Sequence, residues 1–106
     1  MTKKTRPRTD RRIRERAARE LVRDRQKLAA LSPGGAPDRP IEVPSAAVVP
    51  LRARSTPCPL CDGELRIEHE SAESRGGRIL HATHVACARC GVTRVLWFHV
   101  APALPS

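Results

Sequence analysis

Cys58-Pro59-Leu60-Cys61 and, 25 residues further on, Cys87-Ala88-Arg89-Cys90 decide what this chain can fold into. A two-residue spacer lets one tight turn present two sulfurs from the same side, and two such turns supply the four thiolates that a tetrahedral ion such as zinc takes at about 2.3 Å. Each pair is followed by glycine, Gly63 after Asp62 and Gly91 directly. Glycine permits the backbone conformation that aims amide N–H groups back at the sulfurs and stabilises their charge.

Working outward, Leu65-Arg-Ile67-Glu-His69 alternates apolar and polar residues, as a half-buried strand does. Glu70 to Gly77 reads as a turn or loop, Arg78 to Ala86 as a second strand and Val92 to Val100 as a third. In the third, Val92, Leu96, Phe98 and Val100 point one way, Val95 and Trp97 the other. Trp97 and Phe98, the only aromatics, therefore face opposite sides. One is expected in the core above the metal turns; the other either packs against the linker or stays open for stacking on a base.

Residues from about 56 to 100 resemble a zinc ribbon, a small module of transcription factors, ribosomal proteins and nucleic-acid enzymes. The likeness rests on Cys58, Cys61, Cys87 and Cys90 with strands after Cys61, before Cys87 and after Cys90. It implies a small metal-stabilised β fold, a three-stranded antiparallel sheet with both turns at one end, and a single structural Zn2+. It covers less than half of the chain.

Other chemistries share these residues. Two disulfides have three possible connectivities and need an oxidising compartment. Thioredoxin-like chemistry wants the C-x-x-C opening a helix, where Pro59 and Gly63 indicate a turn. Iron in a rubredoxin-like site uses the same four ligands. His81 and His84 precede the second pair at three-residue steps, but residues three apart on a strand face opposite sides. Four cysteines also leave no open position for a water nucleophile.

The rest of the composition says why a metal is needed. Leu, Ile, Val and Phe total 22 of 106 residues, close to the level below which a chain struggles to bury a core. Small folds of that kind lean on a covalent or metal staple. No apolar run approaches the ~20 residues of a membrane span, and the charged start Met1-Thr-Lys-Lys-Thr-Arg-Pro-Arg8 has no apolar segment behind it. A cytoplasmic, reducing location is expected, where cysteine pairs bind metal more often than they cross-link. No hydrolase elbow, phosphate-binding glycine loop or paired-carboxylate pattern is present, so no catalytic residue and no small-molecule substrate is expected.

Charge is concentrated at one end. Residues 1–31 hold twelve Lys/Arg and four Asp/Glu, a net of +8, whereas residues 32–106 carry +1. The four thiolates with one Zn2+ would make that second portion about −1. This pattern divides the chain into a basic disordered arm (1–10), a basic amphipathic helix (11–31), a Pro-rich linker (32–57), the ribbon (58–101) and a tail (102–106). The helix has good helix formers throughout, Asp10 as its expected N-cap and Ser32-Pro33-Gly34-Gly35 as its stop. Ile13, Ala17, Leu21, Leu28 and Leu31 form a narrow apolar stripe interrupted by Asp24, while Arg12, Arg16, Arg19, Arg23 and Lys27 line up on the opposite side. Six prolines between 32 and 57 indicate a semi-rigid connector, in which Ile41–Val43 and Ala47–Val49 could lie as extended edges.

The functional expectation is a non-enzymatic zinc-ribbon protein that binds nucleic acid, RNA or DNA, through the basic row. The alternative is a protein-interaction module docking a partner through the apolar stripe. Membrane binding is disfavoured, because the stripe lacks Trp and Phe.

Overall fold

The computed structural model describes residues 7–101. The expected tail, residues 102–106, and residues 1–6 of the expected arm lie outside the described residues. The chain forms helix α1 (Pro7–Leu31), strand β1 (Ile41–Val43), a 3-10 turn (Ala46–Val48), helix α2 (Val49–Ser55) and strands β2 (Leu65–Arg75), β3 (Arg78–Cys87) and β4 (Thr93–Val100).

α1 begins a turn earlier than the capping pattern indicates. Pro7 opens it, where a missing N–H costs nothing, and Asp10 lies in its first turn, where a carboxylate complements the helix dipole. The stop falls where expected. Ser32 donates its N–H to Ala29 O (3.2 Å) and its Oγ–H to Leu28 O (2.8 Å). Gly34 then joins the helix end to the sheet, its carbonyl accepting the Trp97 N–H at 2.8 Å.

The sheet corrects the three-stranded antiparallel expectation. It has four strands in the order β1-β4-β3-β2, and β1 runs parallel to β4 with Ile41 opposite Phe98 and Val43 opposite Val100. The added strand comes from the expected linker, and the prolines explain how. Pro40 and Pro44 flank β1 and hold it to three residues, while Pro50 sits in the first turn of α2, the one helical region that tolerates it. Ile41–Val43 is an edge as expected, but Ala47–Val49 is helical rather than extended.

The hairpin also differs. β2 continues through Glu70–Arg75 instead of ending in a loop, and the turn is only Gly76-Gly77, with φ of 57° and 78°. Two successive positive φ values make the tight two-residue turn whose twist matches the strands. Arg75 pairs with Arg78 next to it, and a bulge between Ile67 and His69 shifts the register further up.

One cluster forms the core: Val43, Val49 and Ala53 join Leu65, Val85, Leu96, Phe98, Cys58 and Cys87. Three of these belong to segment 32–57, so that segment covers one face of the sheet. Phe98 is fully buried there, whereas Trp97 lies half-buried on the opposite face. Leu80 and Ala82, on that second face, are buried too.

α1 takes little part in this core. Ile13, Leu21, Leu28 and Leu31 are each more than half exposed. The molecule is 73 Å long with a radius of gyration of 18.7 Å, against about 13 Å for a compact chain of this length. The excess is the helix, about 38 Å of it, projecting from the sheet. Among the described residues no helix is long and apolar enough to cross a membrane.

Candidate metal centre

The two cysteine turns are built alike. In the first, the Asp62 N–H donates to Cys58 O (2.9 Å) and the Cys58 N–H to Gly63 O (2.9 Å). In the second, the Gly91 N–H donates to Cys87 O (3.0 Å) and the Cys87 N–H to Val92 O (2.9 Å). The same offsets of four and five residues recur, so one knuckle geometry is used twice. The Ala88 N–H donates to Glu64 O at 2.9 Å and ties the two knuckles together.

This geometry brings Cys58, Cys61, Cys87 and Cys90 to one point. All four Sγ atoms lie within 4.8 Å of one another. Between knuckles, Cys58 Sγ lies 3.6 Å from Cys90 Sγ and Cys61 Sγ 3.4 Å from Cys87 Sγ. Four sulfurs about 2.3 Å from a tetrahedral centre sit roughly 3.8 Å apart, so the set fits a metal ion and is compatible with a zinc-binding ribbon. All four cysteines are free, which sets aside the disulfide arrangement. No histidine belongs to the group. His84 instead stands against His69, ring centroids 5.3 Å apart, and His99 Nδ1 lies 3.8 Å from Glu42.

Backbone amides point at the sulfurs as the motif predicts. The Leu60 N–H donates to Cys58 Sγ (3.4 Å), and the N–H groups of Arg89 (3.3 Å) and Cys90 (3.4 Å) donate to Cys87 Sγ. The Cys90 amide is the largest cause that pulls the Cys87 thiol down to about 6; the Arg89 amide and the Cys61 and Cys90 thiols help against burial. At Cys61 the Gly63 amide also lowers the value, but burial and the crowding of the three other sulfurs win and push it up to about 12.

The two glycines have different tasks. Gly91, at φ 77°, takes the left-handed conformation that follows the second cysteine; in the first knuckle this position is Asp62, at φ 60°. Gly63 is needed for space. A Cβ there would lie 2.9 Å from Cys87 Sγ, 3.1 Å from Cys61 Sγ and 3.0 Å from Arg89 Cβ.

Three arginines lie around the centre, Arg89 within the second cysteine turn and Arg25 and Arg94 outside the motif. Arg25 of α1 donates to Leu60 O at 2.7 Å, and Arg89 donates to Cys61 O at 3.4 Å. Burial lowers the pKa of the half-buried Arg94 guanidinium, and the nearby Cys58 thiolate opposes that. Their charge suits a site that would carry a net −2 with a divalent ion bound. Nothing in the spacing pattern marks Arg25, because it lies off the basic row.

The basic row itself stands apart from the metal site. Arg12, Arg16, Arg19, Arg23 and Lys27 are all exposed on α1 and span about 22 Å of helix. The helix approaches the ribbon through a third face, that of Arg25 and Ala29, leaving both the row and the apolar stripe free. Compared with known protein families, with curated proteins and with solved structures, the chain has no match.

Proposed function

We propose that this is a zinc-ribbon protein that binds nucleic acid through the basic face of α1, with the Cys58–Cys61–Cys87–Cys90 site holding one structural Zn2+. The observation that carries the nucleic-acid reading is the row Arg12, Arg16, Arg19, Arg23 and Lys27. None of the five is in an ion pair among the described residues. The Glu15–Arg19 and Arg16–Glu20 pairs open to an i,i+4 spacing are not formed; Glu15 sits 3.7 Å from Arg11 instead. A projecting helix with unneutralised guanidinium groups on one side offers bidentate donors at a repeat suited to phosphates, and binding would release condensed counterions. Four thiolate ligands leave the metal no open position, in keeping with a non-enzymatic role in a reducing compartment.

The test is a salt titration of binding to DNA and RNA. Affinity is expected to fall linearly with salt on logarithmic axes. Arg12→Gln, Arg16→Gln, Arg19→Gln and Arg23→Gln together should lower the slope by roughly 0.7–0.9 per lost contact. Salt-independent binding, or an unchanged slope in the fourfold variant, overturns the reading. Elemental analysis should give one zinc per chain.

The exposed stripe supports a second reading, a protein partner seated on Ile13, Leu21, Leu28 and Leu31. An isolated helix is marginal in water without such packing. Leu21→Asp with Leu28→Asp would abolish partner recovery in that case and leave nucleic-acid affinity nearly intact.

A further inference from the structure

The bulge in β2 changes which side chain meets His84. From Leu65 to Ile67 the strand pairs with β3 so that Leu65 opposes Cys87, Arg66 opposes Ala86 and Ile67 opposes Val85. Continued unchanged, that register would set Glu68 against His84, an ordinary carboxylate–imidazole pair. The shift takes Glu68 out of the ladder and sets His69 there instead. Bulges re-aim side chains in this way. Here the result is two imidazoles directly across from one another, ring centroids 5.3 Å apart and tilted by 46°. Both lie on the Trp97 face of the sheet, since His84 also opposes Val95 and the next pair on that face is Ala82 with Trp97. His69 is exposed and His84 half-buried, so solvent reaches the pair.

We propose that His69 and His84 form a second metal site, which takes one divalent late transition-metal ion such as Ni2+, Cu2+ or Zn2+ on two imidazole nitrogens, with water in the remaining positions. Three observations carry it. Two nitrogens about 2.0–2.1 Å from one ion, at an angle between square and tetrahedral, put their ring centres about 5 Å apart, which matches the separation found. Neither imidazole has a carboxylate partner among the described residues, where only His99 meets one. As a packing pair the two gain little, because like groups directly opposite repel when both are charged. Imidazole suits zinc, copper and nickel, whereas magnesium and calcium take oxygen ligands. The neighbouring positions on that face are Arg66, Ser71, Ala82, Ala86 and Val95. Arg66 is the one charge among them, and at an exposed position its repulsion of a bound ion is screened by solvent. The site differs in kind from the cysteine cluster: four thiolates would enclose an ion, whereas two neutral imidazoles hold one that exchanges with solvent. A bound ion would also clamp β2 to β3 beside the bulge. This inference is independent of the nucleic-acid reading.

The test is a calorimetric titration of the untagged, zinc-loaded full chain with nickel chloride. Elemental analysis checks that the zinc stays bound, and NMR follows the ring C–H signals of the four histidines. One Ni2+ per chain is expected to bind beyond the zinc, with paramagnetic broadening strongest at His69 and His84. His69→Gln and His84→Gln should each weaken uptake at least about tenfold, since a lost ligand costs no less than a lost outer-shell partner. His81→Gln, on the other face of β3 opposite Phe98, and His99→Gln should leave it unchanged. Retained zinc in each variant shows that the fold is kept. No uptake at millimolar Ni2+ overturns the inference. Uptake that survives in the His69→Gln/His84→Gln double variant, broadening centred on His81 or His99, or uptake only by displacement of the zinc overturns it as well.

Discussion

Asp62 and Gly91 each follow the second cysteine of a knuckle, and both adopt positive φ, yet only one is glycine. Asp tolerates that region better than most residues, at a cost that glycine avoids. Asp62→Gly should therefore raise the unfolding free energy of the metal-loaded protein by up to about 1 kcal/mol, measured by thermal or denaturant unfolding. Gly63→Ala is the opposite case. Its new Cβ would press on two of the four sulfurs, and displacing ligands by a few tenths of an ångström should weaken metal affinity about 10- to 100-fold, read by competition with a chelator. A Gly63→Ala variant with native affinity would show that the knuckle has more room than these distances allow. The motif marked both glycines, but the spacing alone assigned them one role; which one is conformational and which is spatial depends on where the second knuckle lies.

At the scale of elements, the hairpin and the edge strand were legible to different degrees. Residues 70–77 read from sequence as a turn or loop, but the turn is closed by Gly76-Gly77 alone and β2 runs on to Arg75, because the cross-strand pairing with β3, not a local period, makes Glu70–Arg75 a strand. Gly77 lies at φ 78° with nothing within 4 Å of an added Cβ, so Gly77→Ala should cost about 1–2 kcal/mol from the backbone alone, with metal affinity unchanged. A loss of metal in that variant would mean that the hairpin transmits strain to the knuckles some ten residues away. β1 was harder to see. Ile41-Glu42-Val43 is too short to show a period, and only its pairing with β4 makes it a strand. Val43 is buried at 3% exposure, and Val43→Asp should detach the edge and cost more than about 2 kcal/mol.

For the whole molecule, an ion at the cysteine cluster is expected to couple metal binding to folding. The core is one cluster that includes two of the four clustered cysteines, Cys58 and Cys87, so without an ion buried, mutually crowded thiols would stand where the core should close. Chelation under reducing conditions is expected to unfold residues 58–100 and, with them, β1 and α2, whose buried Val43, Val49 and Ala53 lose their partners. α1 should respond independently, because it touches the ribbon only near its end. Hydrogen exchange followed during chelation checks this: retention of protection in β3 and β4 without metal would contradict the coupling. Metal uptake should weaken as pH falls, because protons compete for the thiolates that bind the ion.

The sequence by itself determined the two cysteine turns, the antiparallel β2-β3-β4 unit, the long basic helix and its stop, since each is written in local spacing, turn residues or a helical period. Tertiary structure decided the rest: the parallel fourth strand, the use of segment 32–57 as cover for the core, and which face of α1 meets the ribbon. The physical reason is common to all three. Short segments such as Ile41–Val43 and Val48–Val49 carry no period of their own, and their conformation follows from the face that a small three-stranded unit leaves bare. The helix likewise meets the ribbon neither by its apolar stripe nor by its basic row. It meets it through Arg25 and Ala29, where a guanidinium reaches a knuckle carbonyl and a small side chain permits the approach.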